Sequence, residues 1–170
     1  MVIIPRLVKN SAPRLIDITS IIIHKTESKM VEGTKDVEGV ISWFNNVDSQ
    51  VSAHYVIDDD GTIYQCVLDN MVAWHAGKGQ LHNQPEVNQF SIGIEIIGFV
   101  SDELTDLQLE ALIELCEEKC FKYKIPLNKV VGHQHVATPF GRKTDPGLLF
   151  PWFEFLNVLG ARISEREVTI

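Results

Sequence analysis

Residues 91–99 read SIGIEIIGF. Side chains of an extended strand point alternately to its two faces, so Ile92, Ile94 and Ile96 share one face, and Ser91, Gly93, Glu95 and Ile97 share the other. The isoleucine face belongs in a core. Glu95 then points away from that core, as a charge set within an apolar strand. Residues 15–23 (LIDITSIII) are β-branched and end in a nearly continuous apolar run, the pattern of a strand buried on both faces. His24 stands at its C-terminal end.

Buried strands need covering helices, and helical spacing lies on either side of them. Val37, Val40, Ile41 and Phe44 recur at the period of an amphipathic helix, with Thr34 as its N-cap. Thr105 and Gln108 form a capping box, Leu104 and Leu109 occupy the positions of a hydrophobic staple, and the helix they start runs through Leu112, Cys116 and Cys120 until Pro126 stops it. Residues 54–57 and 62–67 flank DDDG, and Asp60-Gly61 between two β-prone runs predicts a hairpin. Residues 74–89 lack a sustained period and read as a long loop. Residues 129–132 (KVVG) form a short strand that ends at His133, and a last helix covers 151–159 with Gly160 beyond its end. The fold class expected is α/β: one domain over 1–170, core about 15–160, with a central mixed β-sheet flanked by helices.

The 170 residues are 45% hydrophobic and 22% charged, enough to bury a core without disulfides or a structural metal. The 15 Lys and Arg against 23 Asp and Glu give a net charge of −8, which excludes nucleic acid as the default partner because phosphate binding needs clustered cations. No apolar run is long enough to span a bilayer, and MVIIPRLVKN lacks the pattern of a secretory signal, so a cytoplasmic monomer without a membrane partner is expected. Three cysteines make no disulfide framework, and Cys66, Cys116 and Cys120 all fall in apolar periodic segments, which argues against a thiol nucleophile.

Polar residues at the ends of buried strands are held by the sheet while their side chains reach a crevice. His24 and His133 are so placed, and Asp145 follows in the turn-forming RKTDPG. Two readings stay open on residue chemistry alone. These three could converge on one ion and leave an open position, as in a catalytic zinc site, or the histidines could be hydrogen-bonded strand-end residues.

IIIHKTES, VSAHYVIDDDGTIYQ, AWHAG, FSIGIEIIGF and GHQHVATPFGRKTDPG occur in the order found in the zinc-dependent N-acetylmuramoyl-L-alanine amidases, which the chain resembles over about 21–152. That family includes the cytoplasmic anhydro-muropeptide amidases, phage T7 lysozyme and the peptidoglycan recognition proteins. The resemblance implies Zn2+ held by His24, His133 and Asp145, with Glu95 as general base and Lys143 stabilising the oxyanion. It implies a hydrolase that cuts the amide between N-acetylmuramic acid and L-alanine in muropeptides or cell wall, either as a recycling enzyme or as a phage-type endolysin released to the wall. The alternative is a binding or regulatory module on the same fold. Trp74 and His75 resemble a groove-wall segment, where the indole and imidazole either contact sugar or peptide of the substrate or simply pack. The catalytic tyrosine of T7-type members falls nearer Ala53, which shifts the base role to Glu95 and leaves His54 and Tyr55 as packed residues. His135 replaces the aspartate usual in cytoplasmic members, and the loop from His133 to Asp145 is longer than theirs. On a strand, His135 would share the face of His133, as a substrate contact on the rim, a hydrogen-bond partner behind the ligands or an alternate ligand.

Overall fold

A computed structural model of the chain describes residues 1–27 and 36–168. Its strands are β1 (Ile3–Pro5), β2 (Ser11–Pro13), β3 (Ser20–Lys25), β4 (Tyr55–Ile57), β5 (Ile63–Gln65), β6 (Met71–Ala73), β7 (Gln80–Leu81), β8 (Gln84–Pro85), β9 (Ser91–Ile96) and β10 (Val130–Gly132). The helices are α1 (Asp36–Asn45), α2 (Asp106–Tyr123), the single turn α3 (His133–Val136) and α4 (Trp152–Val168). Six strands form one sheet in the order β1-β5-β4-β9-β3-β10. Among the described residues, only the β4–β5 pair in it is antiparallel, the hairpin read from Asp60-Gly61, with Gly61 at φ 78°. The sheet is mixed, as expected.

The alternation in β9 decides which face carries what. Ile92, Ile94 and Ile96 join Ile21 and Ile23 of β3 in the main core, under Leu112, Leu115 and Cys116 of α2 and Phe155 and Leu159 of α4. Each such side chain contributes about 1.5–3 kcal/mol on burial. On the other face, Val37, Val40, Ile41 and Phe44 of α1 pack with Val56 and Ile97. Ser91, Gly93 and Glu95 lie on that second face, and so does His24. Because β9, β3 and β10 are adjacent and parallel, their C-terminal ends share one edge. The register sets His24 beside Glu95 and Gly132 beside Ile23, so that His133 leaves the sheet close to His24.

Several boundaries differ from expectation. The strand expected over 15–23 begins at Ser20, and Leu15 is 88% exposed. The preceding β2 pairs with β6 in a separate ladder, so the chain must turn between two sheets before β3 can start. The last helix passes through Gly160 instead of ending there: a Cβ at 160 would lie 3.0 Å from Leu127 Cδ1, so the glycine allows close packing within the helix. The expected long loop contains the β7–β8 hairpin, whose turn residues His82 and Asn83 both have positive φ, followed by a 3-10 turn at Val87–Phe90. Residues 133–136 wind into α3, so His135 does not lie on a strand. The Thr34 cap falls outside the described residues.

Candidate active site

At the shared sheet edge, His24 Nδ1 lies 3.0 Å from His133 Nδ1, and each is 3.1 Å from Asp145 Oδ2. All three residues are buried, and together they can hold a metal ion. β3 brings His24, the first residue of α3 brings His133, and the loop before α4 brings Asp145. That loop is tied down where the Gln134 N–H donates to the Asp145 carbonyl at 2.9 Å.

The protons on these groups follow from their outer partners. Ser91 Oγ donates to the Val87 carbonyl at 2.6 Å, so it can only accept from His75 Nε2, 3.0 Å away. Burial holds the His75 pKa well below its ordinary value, so the ring is neutral and its Nδ1 is bare. That bare nitrogen accepts the Nε2–H of His24 at 3.0 Å. Burial likewise lowers the His24 pKa to about 4, so His24 is neutral and its Nδ1 carries a lone pair. His133 donates its Nε2–H to the Ala76 carbonyl at 2.9 Å, so its Nδ1 is the nitrogen that faces His24 and Asp145. Two imidazole nitrogens and a carboxylate oxygen therefore face one another at hydrogen-bond separation. A proton can relieve one edge of this triangle, whereas a metal ion relieves all three. The N2O donor set fits a zinc ion with a remaining open position.

Glu95 lines the same cleft, which measures about 620 Å³, and its Oε2 is buried without a hydrogen-bond partner among the described residues. Burial raises its pKa to about 8; the charge of Asp145 adds to the rise and Lys143 opposes it. Lys143 is exposed on the cleft wall and makes no hydrogen bond or ion pair among the described residues. Trp74 is half-buried on the wall, its backbone paired with Ser52 through two hydrogen bonds. α1 forms the facing wall with Gly39, Val40, Trp43 and Phe44.

His75 borders the cleft, but both of its nitrogens are engaged within the protein. His135 lies elsewhere. It is exposed, accepts the Gly132 N–H at 3.0 Å, meets the Trp152 ring edge-on and lines a smaller cleft with His82 and Phe140. His54 and Tyr55 are buried, His54 accepting the Gly93 N–H and Tyr55 donating to Asp69. Burial pushes the Cys66 and Cys120 thiols up to about 12 and Cys116 well above its usual value, which leaves no thiolate at neutral pH.

Sequence reasoning missed Ser91, Gly93 and Asn88 around His75, and Trp43 on the cleft wall. Arg142, which reads as a surface charge, donates to the carbonyls of Thr138, Ala76 and Lys78 and so joins the Asp145 loop to the 74–78 segment. Nothing in RKTDPG separates such a guanidinium from a solvated one.

Residues 14–148 match the family described as N-acetylmuramoyl-L-alanine amidase. The 1,6-anhydro-N-acetylmuramyl-L-alanine amidase AmpD of Enterobacter cloacae is 35% identical over 119 residues, 70% of this chain and 62% of that protein. The chain thus spans less than two thirds of the length of the AmpD relatives it matches. Among solved structures, a Se-Met AmpD derivative aligns with a TM-score of 0.80 at 27% identity, over 92% of this chain and 93% of that one. AMPDH3 from Pseudomonas aeruginosa, solved in complex with anhydromuramic pentapeptide, aligns with a TM-score of 0.70 at 27% identity, over 84% of this chain and 60% of that one.

Proposed function

The chain belongs to the N-acetylmuramoyl-L-alanine amidase family, and from that membership we propose that it hydrolyses the amide between N-acetylmuramic acid and L-alanine in soluble muropeptides. The observation that carries the reading is the convergence of His24 Nδ1, His133 Nδ1 and Asp145 Oδ2, with the Glu95 carboxyl on the neighbouring strand lining the same cleft. His24, His133 and Asp145 would hold zinc. When bound, zinc supplies Lewis acidity, drawing electron density from a carbonyl oxygen and making a water easier to deprotonate.

The chain's own residues account for the rest. Glu95, with the high proton affinity of a buried carboxylate, takes the proton of the attacking water and delivers it to the departing amine. With a cation held by His24, His133 and Asp145, Glu95 would be ionised before the reaction and protonated during it. Lys143 places an ammonium on the cleft wall, where negative charge develops on the amide oxygen. Trp74 and Trp43 offer indole faces for sugar or peptide. The net charge of −8 favours a soluble fragment over a wall bearing anionic polymers.

Mass analysis of products from zinc-loaded protein, given soluble 1,6-anhydro-muropeptide or intact sacculi, tests this. Free stem peptide from the soluble substrate is expected. Bound but uncleaved muropeptide would replace the enzyme with a binding module, and release from sacculi alone would make it a wall lysin.

A further inference from the structure

We propose that Ser91 and His75 are positioning residues that decide which nitrogen of His24 carries its proton, and thereby keep His24 Nδ1 open toward His133 and Asp145. The inference rests on the metal reading above and assigns to His75 a role other than substrate contact. The chain of donors runs in one direction. Ser91 Oγ–H is committed to the Val87 carbonyl, so His75 donates its Nε2–H to Ser91; one proton then lies in the 3.0 Å contact between His75 Nδ1 and His24 Nε2, and a cation held at His24 Nδ1 would set that proton on His24 Nε2. A substrate would find neither nitrogen of His75 free.

Two further features hold the ring in place. Gly93 lies beneath it: a Cβ at that position would come within 2.3 Å of His75 Cγ and 2.5 Å of Cδ2. Asn88 Oδ1 accepts the backbone N–H groups of His75 and Ala76, at 3.3 and 2.8 Å. Alternate positions of β9 thus supply the hydroxyl that sets the proton order (Ser91), the space for the ring (Gly93) and the carboxyl facing the cleft (Glu95). This accounts for SIGIE on the face opposite the isoleucines.

Without the Ser91 hydroxyl, His75 is free to carry its proton on Nδ1. His24 must then accept at Nε2 and protonate Nδ1, the atom a metal needs. Loss of the hydroxyl therefore acts on metal affinity through a tautomer, an effect that a simple packing role would not produce.

The test compares wild type, Ser91→Ala, His75→Phe and Gly93→Ala by zinc affinity in chelator competition, by 15N NMR of histidine-labelled metal-free protein, and by circular dichroism to confirm folding. Wild-type His24 should show a bare Nδ1 and a protonated Nε2. Ser91→Ala should mix the two tautomers and weaken zinc binding about tenfold to a hundredfold, with His75→Phe and Gly93→Ala at least as weak. Ser91→Ala decides the matter if the bulkier changes do not fold. A wild-type His24 protonated on Nδ1, or Ser91→Ala with wild-type affinity and a single tautomer, overturns the proposal and leaves the metal reading standing. A wild type that takes up no zinc yet shows the bare Nδ1 removes the metal reading and supports the relay.

Discussion

Replacing His24, His133 or Asp145 by alanine removes one of the three ligand atoms that the described residues bring together, so bound zinc and activity should fall together. Full zinc equivalents in all three variants, measured by atomic absorption, would dismiss the assignment. Glu95→Gln separates base from ligand: the amide keeps the shape but cannot take a proton, so zinc should stay while kcat drops by about 10² to 10⁴. A kcat within a few-fold of wild type would remove Glu95 from the chemistry. The placement of His24, His133 and Glu95 was readable in sequence because strand ends and strand parity are local features, whereas Asp145 sits in a loop and its convergence on the histidines stayed one of two open readings until the fold was known. The surroundings of His75 were not readable. Its partner Ser91 lies 16 residues away, and only the folded sheet places that hydroxyl against the ring. His135 misled for the same kind of reason, since two residues along a strand share a face and two residues along α3 do not.

At the scale of elements, the most readable boundary was the start of α2. There Thr105 accepts the Gln108 N–H at 3.0 Å, and Gln108 accepts the Thr105 N–H at 3.1 Å. Gln108 also donates to the Ile97 carbonyl at 2.9 Å and to Asp59, so the box fastens α2 to the end of β9 and to the hairpin turn. Thr105→Ala should cost about 1 kcal/mol in a denaturant melt, with zinc content unchanged. A loss several times larger would show that the threonine's bond to the Asp59 carbonyl, and not the helix cap, dominates. The boundaries that escaped the sequence depend on distant partners. β3 starts late because β2 belongs to another ladder, and Gly160 lies inside α4 at a point where a Cβ would stand 3.0 Å from Leu127 Cδ1. A glycine that permits close packing and one that ends a helix look alike until the neighbour is known.

Across the whole molecule, the face of the sheet away from the site is anchored by a buried charge that neither periodicity nor motif disclosed. Asp69 accepts from the Tyr55 hydroxyl at 2.5 Å, from Lys119 at 3.1 Å and from the Tyr123 hydroxyl at 2.7 Å, linking β4 to α2. Burial alone would raise its pKa, but the Tyr55 bond, the Lys119 charge and the Tyr123 bond together outweigh burial and hold it at about 2. The unfolded chain protonates this carboxyl near the ordinary value of about 3.9, so the folded state binds the proton less tightly than the unfolded state does. The stability from this group is therefore complete above pH of about 4 and is lost as pH falls through about 2, a loss on the order of 2 kcal/mol. Asp69→Asn should abolish that acid limb. It should also destabilise the protein at neutral pH by about 1–3 kcal/mol, because the buried Lys119 loses one of its two carboxylate partners and keeps Glu118, at 2.9 Å. Urea melts at pH 7, 4 and 2 on both proteins check the two effects together. If Asp69→Asn kept the wild-type fall between pH 4 and 2, the acid sensitivity would belong to other carboxylates. If it also kept wild-type stability at pH 7, the Lys119 pair would contribute nothing net to the fold.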